Sequence, residues 1–268
     1  MRRRFIPFVV IGVAAVALTL RAAPAAAQAQ PDPGSKPQGA VPRTADGKPD
    51  LSGVWWQGRD LPVTGLNVGR STTRAAAPAG ATFASLYQPW AMERARTLGD
   101  KDDPALRCVP SVDGPQMSNV FQLIHTPKFL VFLQETYHGF RLIPLEPGRT
   151  HLEEATPAFR GDSVGRWEGD TLVVDVTNFS DRNWLLAQGV VSFHSDALHI
   201  VERYRRVAAN TLEIERVYED PKVLTRPWTP PKRVFQLAPL DQIMEAVCTS
   251  TETAGLMEAA AKDNYGRK

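Results

Sequence analysis

The densest group of side chains that could do chemistry lies between His194 and Arg203. This stretch holds two of the five histidines, His194 and His199, and two carboxylates, Asp196 and Glu202. A histidine oriented by a carboxylate can transfer a proton near neutral pH, so these four residues are the candidate catalytic residues. His194-x-Asp196 also resembles the start of a two-histidine, one-carboxylate metal site. On a regular strand, however, residue 199 would point away from 194 and 196, so we assign no metal ligand.

Glu202 is unusual because it shares a predicted strand face with Leu198, Ile200 and Tyr204. If that face points into the core, the carboxylate needs a partner, since an unpaired buried charge is costly. The candidate partners are Arg141, Arg166 and Arg216.

Neighbouring segments repeat this change from apolar to polar side chains. Ile214 precedes Arg216 on one predicted strand face, and Val173 precedes Asp175 on another. One end of the interior would then be apolar and the other polar, which suits a small ligand with a polar head. The predicted ligand-binding residues are Arg141, Asp175, Arg216, Tyr218 and Trp228. A structural salt-bridge cluster would produce the same pattern.

The elements that must position these residues are mostly short strands. Runs of β-branched and aromatic residues end at turn residues and predict about ten strands. They are Val120–Thr126, Phe129–Glu135, Phe140–Leu145, a hairpin over Gly165–Phe179, a second over Ala197–Val207 and Thr211–Glu219, and a third over Arg233–Leu237 and Gln242–Thr249. Parallel sheets need long crossovers, which are not evident. We therefore predict a mostly β fold, a single antiparallel barrel or sandwich, with one helix (Phe83–Leu98) before the main sheet.

The N-terminus has the order of a signal peptide. Arg2, Arg3 and Arg4 precede an apolar run over Phe5–Leu20, and small residues follow up to Ala27. Cleavage after Ala27 or Ala29 is expected, by either the general or the twin-arginine route. The apolar run is too short to span a bilayer. We therefore expect a periplasmic or secreted protein with no membrane span after cleavage.

Removal of residues 1–27 takes away four arginines and no acid, leaving 27 basic against 29 acidic side chains. The remaining chain has no basic stripe, so nucleic acid is not an expected partner. Residues 28–50 are rich in Pro, Gly, Gln and Ala and predict a flexible linker. The β-rich domain is placed at 51–251 and a C-terminal tail at 252–268.

The chain contains two cysteines, Cys108 and Cys248. In an exported protein an even number of cysteines favours a disulfide, so we expect these two to be paired. Cys-x-x-Cys, His-Glu-x-x-His and phosphate-binding glycine loops do not occur, and no cofactor is predicted.

Three stretches together resemble a large, mostly uncharacterised family of exported bacterial β-rich proteins. They are DGKPDLSGVW (46–55), GRWEGDTLVVDVTNF (165–179) and HSDALHIVERYRR (194–206). Gly53-x-Trp55 also resembles the Gly-x-Trp motif of lipocalins. That second resemblance implies a lipocalin-like barrel and an arginine stacked on Trp55, for which Gln242–Thr249 offers no obvious candidate.

Three functional hypotheses follow from the sequence. The first is an exported soluble protein that binds a small, partly apolar molecule in a β-barrel cavity. The second is a lyase, isomerase or hydrolase that uses a histidine–carboxylate pair on the same scaffold. The third is a structural module of the cell envelope. The oligomeric state is left open.

Overall fold

The computed structural model describes residues 38–57, 81–112, 120–135, 139–186 and 191–244. Nine strands in these ranges form one sheet that curls into a nearly closed barrel. They are β1 (Gly53–Trp56), β2 (Val120–His125), β3 (Phe129–Gln134), β4 (Phe140–Pro144), β5 (Asp162–Glu168), β6 (Thr171–Thr177), β7 (His199–Ala208), β8 (Thr211–Glu219) and β9 (Arg233–Leu237). The predicted mostly β, antiparallel fold is confirmed.

The strand order is β4-β3-β2-β1-β9-β8-β7-β6-β5, and every pairing is antiparallel. Eight antiparallel pairings lead from β4 to β5 in this order, and each one reverses the strand direction. The two end strands, β4 and β5, therefore run in the same direction. They lie side by side, but no ladder of backbone hydrogen bonds joins them in the described part of the chain. We call this line of contact the β4–β5 seam. A Cβ added at Gly165 would lie 2.6 Å from Leu145 Cδ2, so a larger residue there would force the Leu145 side chain to shift where the strands meet.

Alternate side chains from each strand point into the barrel and line its interior. Phe121 stacks on Phe132 with ring centroids 4.7 Å apart, and Phe235 meets Phe121 edge to face. Phe83, which precedes a 3₁₀ turn at Ala84–Leu86, packs edge to face on Tyr218 at one end of the barrel. Aromatic rings bury large apolar areas, so this packing supplies much of the hydrophobic stabilisation.

The helix begins later than the sequence predicts. Helix α1 spans Pro89–Thr97, and Ala84–Leu86 forms a separate 3₁₀ turn. Gln88 is extended, with ψ of 158°, because a residue that precedes proline avoids the helical region. Pro89 then takes the first helical position, where its missing N–H costs nothing. Two further 3₁₀ turns follow at Asp100–Asp102 and Pro104–Arg107.

The third predicted hairpin is wrong in its described part. β9 pairs with β1 and β8, and residues 242–244 are not in a strand. Within the predicted linker, residues 42–50 form a turn against the barrel. Arg43 reaches Asp170 at 2.7 Å, and the Asp50 amide donates to the Pro42 carbonyl.

Several predictions fall outside the described residues. They are the signal peptide over 1–27, Cys248 as the partner of Cys108, and the tail over 252–268. Among the helices that the structure describes, none has the length and apolar character needed to cross a membrane.

Candidate functional site

A group of charged side chains lies inside the barrel. Glu202 and Tyr204 point inward from β7, and Arg216 is directly opposite Glu202 on β8. Arg141 reaches the same carboxylate from β4, although 61 residues separate the two in sequence. We call Arg141, Glu202, Tyr204 and Arg216 the Glu202 cluster. The ion pairs predicted for Glu202 with Arg141 and Arg216 are confirmed, whereas Arg166 pairs with Glu168 at the surface.

Each carboxylate oxygen of Glu202 accepts two hydrogen bonds. Arg141 donates through Nη1 to Oε1 at 3.2 Å and through Nη2 to Oε2 at 2.6 Å. Arg216 Nε donates to Oε1 at 3.1 Å, and the Tyr204 hydroxyl donates to Oε2 at 2.9 Å. A carboxylate offers about four acceptor positions, so its hydrogen-bonding capacity is filled.

Glu202 is ionised despite being only 3 % exposed. Burial raises the pKa of its carboxyl, but the charges of Arg141 and Arg216 outweigh burial and bring the pKa to about 2. Burial and the nearby carboxylate of Glu202 raise the pKa of Tyr204, so its hydroxyl remains a donor. The cluster therefore holds fixed charges across the physiological pH range.

Two polar atoms at this cluster have no hydrogen-bond partner among the described residues. They are Arg141 Nε and the Oγ of Ser163, whose residue is 4 % exposed. Arg141 lies on β4 and Ser163 faces inward on β5, so each belongs to one side of the β4–β5 seam. Buried polar atoms are rarely left unpaired in proteins, so both atoms are available to a bound group.

A second charge network lies on the outer face of the sheet. His151, from the β4–β5 connection, contacts Asp162 through Nδ1 at 2.8 Å and Asp175 through Nε2 at 2.9 Å. His199 contacts Asp175 through Nε2 at 2.9 Å and Glu219 through Nδ1 at 3.3 Å. We call these five residues the outer histidine chain. Their side chains are about a quarter to a half exposed.

Each imidazole in the outer histidine chain faces a carboxylate on both sides. An ionised carboxylate only accepts hydrogen bonds, so both contacts are satisfied only when the ring carries two protons. Partial burial lowers the pKa of His199, but hydrogen bonds and charge from Asp175 and Glu219 outweigh burial and raise it. Neither ring leaves a nitrogen for a substrate. No group of three or more metal-ligating side chains occurs in the described ranges.

The four predicted catalytic residues lie in four different environments. His194 is buried, with Nε2 3.1 Å from Asn183 Oδ1 and Nδ1 2.9 Å from the Ser195 carbonyl. Asp196 is at the surface and pairs with Lys222. His199 lies on the outer face, and Glu202 lies inside the barrel. The structure therefore does not assemble them into one catalytic group.

The predicted ligand-binding residues are also divided. Arg141 and Arg216 meet at Glu202, but Asp175 faces outward, so its predicted inward position is wrong. Tyr218 and Trp228 pack on each other with ring centroids 4.9 Å apart, and Trp228 Nε1 donates to the Ala81 carbonyl. This aromatic pair lies at the end of the barrel that Phe83 covers.

An arginine from β7 lies against the ring of Trp55. The Arg206 guanidinium lies 5.0 Å from the Trp55 ring centroid and donates to the Asp50 carbonyl at 2.6 Å. Arg206 lies outside Gln242–Thr249, the segment in which the lipocalin resemblance implies a stacked arginine. The contacts of Arg206 hold the start of β1 against β7.

Four members of the two networks, and the neighbouring Ser163, were not among the predicted site residues; the four are Tyr204, His151, Asp162 and Glu219. His151 lies in an irregular connection, and its sequence neighbours give no indication of a role. Ser163 stands in Gly161-Asp162-Ser163-Val164-Gly165, a Gly-x-Ser-x-Gly spacing that could have drawn attention to it. That spacing is typical of a nucleophile on a strand-to-helix turn, but here it lies at the start of a strand and the serine is buried.

Comparison with protein-family models found no match to this chain, and comparisons with curated proteins and with solved structures found no relative. A barrel fold hosts many unrelated functions. The function is therefore inferred from the geometry of the Glu202 cluster and its surroundings.

Proposed function

We propose that this protein is exported through its N-terminal signal peptide and binds a small, partly apolar molecule inside the barrel. The observation that carries this proposal is the Glu202 cluster, a set of fixed charges among inward side chains that are otherwise mainly apolar. An apolar site with a few convergent polar groups is the usual form of a small-molecule site.

Stability alone gives little reason to keep the Glu202 cluster. Replacing a buried ion network by apolar side chains of similar volume is often neutral or stabilising, because taking charges out of water is costly. A barrel under selection only for packing would therefore gain nothing from these charges. Recognition of a ligand's polar end gives them a use.

The β4–β5 seam offers a route into the barrel. Every other neighbouring pair of strands shares backbone hydrogen bonds, whereas β4 and β5 meet through side chains such as Ile143 and Leu145 beside Gly165. Separating side chains costs less than breaking a hydrogen-bonded ladder. Arg141 lies on one edge of this seam, so a molecule entering there meets the cluster.

Export also implies a disulfide between Cys108 and Cys248. A bond between these cysteines would link the segment before β2 to the segment after β9 and constrain the unfolded chain. In this proposal the oxidising compartment allows the bond to form.

The first experiment is native mass spectrometry of the protein exported from a bacterial host. We expect cleavage after Ala27 or Ala29, a mass two hydrogens below that of the reduced chain, and a bound small molecule. The exported protein should also bind N-phenyl-1-naphthylamine, a neutral fluorophore that brightens in apolar sites. Glu202→Gln and Tyr204→Phe should weaken that binding, whereas Glu219→Gln on the outer face should not.

Glu202→Gln could fail to fold, so Tyr204→Phe, which keeps both ion pairs, is the deciding variant. If the wild-type protein emerges without a small molecule and does not bind the fluorophore, the barrel is a structural module instead. Retention of the full length after export would remove the signal-peptide assignment.

A further inference from the structure

We infer that the ligand of the barrel carries a carboxylate, and that Arg141 Nε and Ser163 Oγ bind it at the β4–β5 seam. This inference rests on the proposed function and specifies the chemical class of the ligand. It concerns atoms that the hydrogen bonds of Glu202 do not use.

Within the part of the chain that the structure describes, the two atoms are buried donors without acceptors. Arg141 uses both terminal nitrogens on Glu202, and its side chain is 11 % exposed, yet Nε has no partner. Ser163 Oγ is likewise unpartnered in a residue that is 4 % exposed. Leaving a buried polar atom unpaired lowers the stability of the folded protein. A ligand oxygen that accepts from both atoms would recover this cost.

The register of the seam brings these two residues to the same level. A Cβ at Gly139, just before β4, would touch the Arg160 guanidinium, which lies just before β5. Further along, a Cβ at Gly165 would lie 3.1 Å from Ile143 Cγ2. Because β4 and β5 run in the same direction, Arg141 falls between these two contacts, beside Asp162 and Ser163. Of these two β5 residues, Ser163 is the one that faces inward.

The chemistry of the pair favours a carboxylate over a neutral group. The Nε–H belongs to a guanidinium that is always charged, and the serine hydroxyl can donate. A carboxylate presents two oxygens in one plane and can accept one hydrogen bond from each donor. Hydrogen bonds between charged partners are about twice as strong as neutral ones, so a neutral carbonyl or hydroxyl would bind less tightly.

Matched amphiphiles test the inference. Dodecanoate and dodecan-1-ol share one chain and differ in the headgroup, and both can be titrated as competitors of N-phenyl-1-naphthylamine on the exported protein. We expect dodecanoate to compete at least tenfold more effectively than dodecan-1-ol. Ser163→Ala should weaken the binding of dodecanoate about tenfold. The affinities for dodecan-1-ol and for the fluorophore should not change.

Ser163→Ala removes no hydrogen bond that the structure contains and takes away an unpaired buried hydroxyl, so its urea midpoint should be no lower than that of the wild type. The matched control is Ser180→Ala, a buried serine outside the seam whose Oγ accepts from Arg182. That variant should lose stability and keep the preference for dodecanoate.

The outcomes separate the two proposals. If the fluorophore binds but dodecanoate competes no better than dodecan-1-ol, or if Ser163→Ala leaves their ratio unchanged, the carboxylate inference is wrong and the proposed function stands. If neither amphiphile nor the fluorophore binds, both proposals are wrong.

Discussion

The two charge networks lie on opposite faces of the same strands and behave differently. Inside the barrel, Glu202 is held by arginines, which keep their charge at every physiological pH. On the outer face, Asp175 is held by two histidines, His151 and His199, instead of arginines. The charge of an imidazole, unlike that of a guanidinium, depends on pH. Two neighbouring strands, β7 and β8, carry parts of both networks because successive side chains alternate between faces.

Burial explains why each network has its own kind of cation. A carboxylate at the barrel centre cannot be hydrated, so its partners must never lose their charge. The outer histidine chain is partly hydrated, so water can replace a lost hydrogen bond. The comparison therefore predicts large, pH-independent effects for the Glu202 cluster and small, pH-dependent effects outside.

The largest difference should come from neutralising one carboxylate in each network. Glu202→Gln leaves two buried guanidinium groups facing an amide and should lower the free energy of unfolding by about 3 to 5 kcal/mol. Glu219→Gln, at a side chain that is 48 % exposed, should cost under about 1 kcal/mol. Urea unfolding of the two variants measures both values. Similar losses in the two variants would contradict the assignment of the networks to different environments.

Removing one buried hydroxyl tests how much the charge of Glu202 strengthens its hydrogen bonds. Tyr204→Phe removes a donor to a carboxylate and should cost about 1.5 to 3 kcal/mol. Tyr87→Phe removes a donor to the Phe193 carbonyl, at 2.7 Å, and should cost about 1 kcal/mol. Thermal unfolding of both variants gives the comparison. A larger loss for Tyr87→Phe would mean that the charge of Glu202 adds nothing to that bond.

The pH dependence of stability should have opposite signs for His199 and His194. The raised pKa of His199 means that its contribution is complete below pH 6.5 and lost as pH rises through the folded value. Burial lowers the pKa of His194, so its contribution is present above pH 6.5 and lost as pH falls through the folded value.

Urea unfolding at about pH 5 and about pH 8.5 measures these signs. His199→Gln should lower the free energy of unfolding more at the acidic pH than at the alkaline pH, by up to about 1 kcal/mol. His194→Gln should lower it more at the alkaline pH. At acidic pH, His199 stabilises the protein only as long as its partner Asp175 stays ionised. Burial raises the pKa of Asp175, but His199 and His151 outweigh burial and lower it below 3.8, so its ion pair survives at pH 5. Equal slopes for both variants would contradict this assignment.

The smallest expected effect is that of salt. Raising NaCl from about 0.1 M to about 1 M shortens the screening length from about 10 Å to about 3 Å and weakens exposed pairs. The stability cost of His199→Gln should shrink by a few tenths of a kcal/mol, while that of Tyr204→Phe should not change. Salt dependence at Tyr204 would show that water reaches the Glu202 cluster.

Much of the local structure could be predicted from the sequence. β2, β3, β4, β6, β7 and β8 lie within a residue or two of their predicted bounds, because each is a β-branched or aromatic run that ends at turn residues. Gly169 has a φ of +60° at the predicted hairpin turn. The alternation on β7 also showed that Glu202 shares a face with Ile200 and Tyr204, and so needed an arginine.

Tertiary structure alone decided which faces point inward and which residues meet. Val173 and Asp175 share a face as predicted, but that face is the outer one, because Leu172, Val174 and Val176 are all apolar and fill the core instead. A strand with apolar side chains on both faces does not specify which is buried, and a shift of one residue reverses the answer. The meeting of Arg141 with Glu202 and of His151 with Asp175 depends on barrel closure across distant parts of the chain. Sequence periodicity describes only neighbours along one strand, so it determined where the strands lie and which residues share a face. The closure of the barrel determined which of these residues meet in the candidate site.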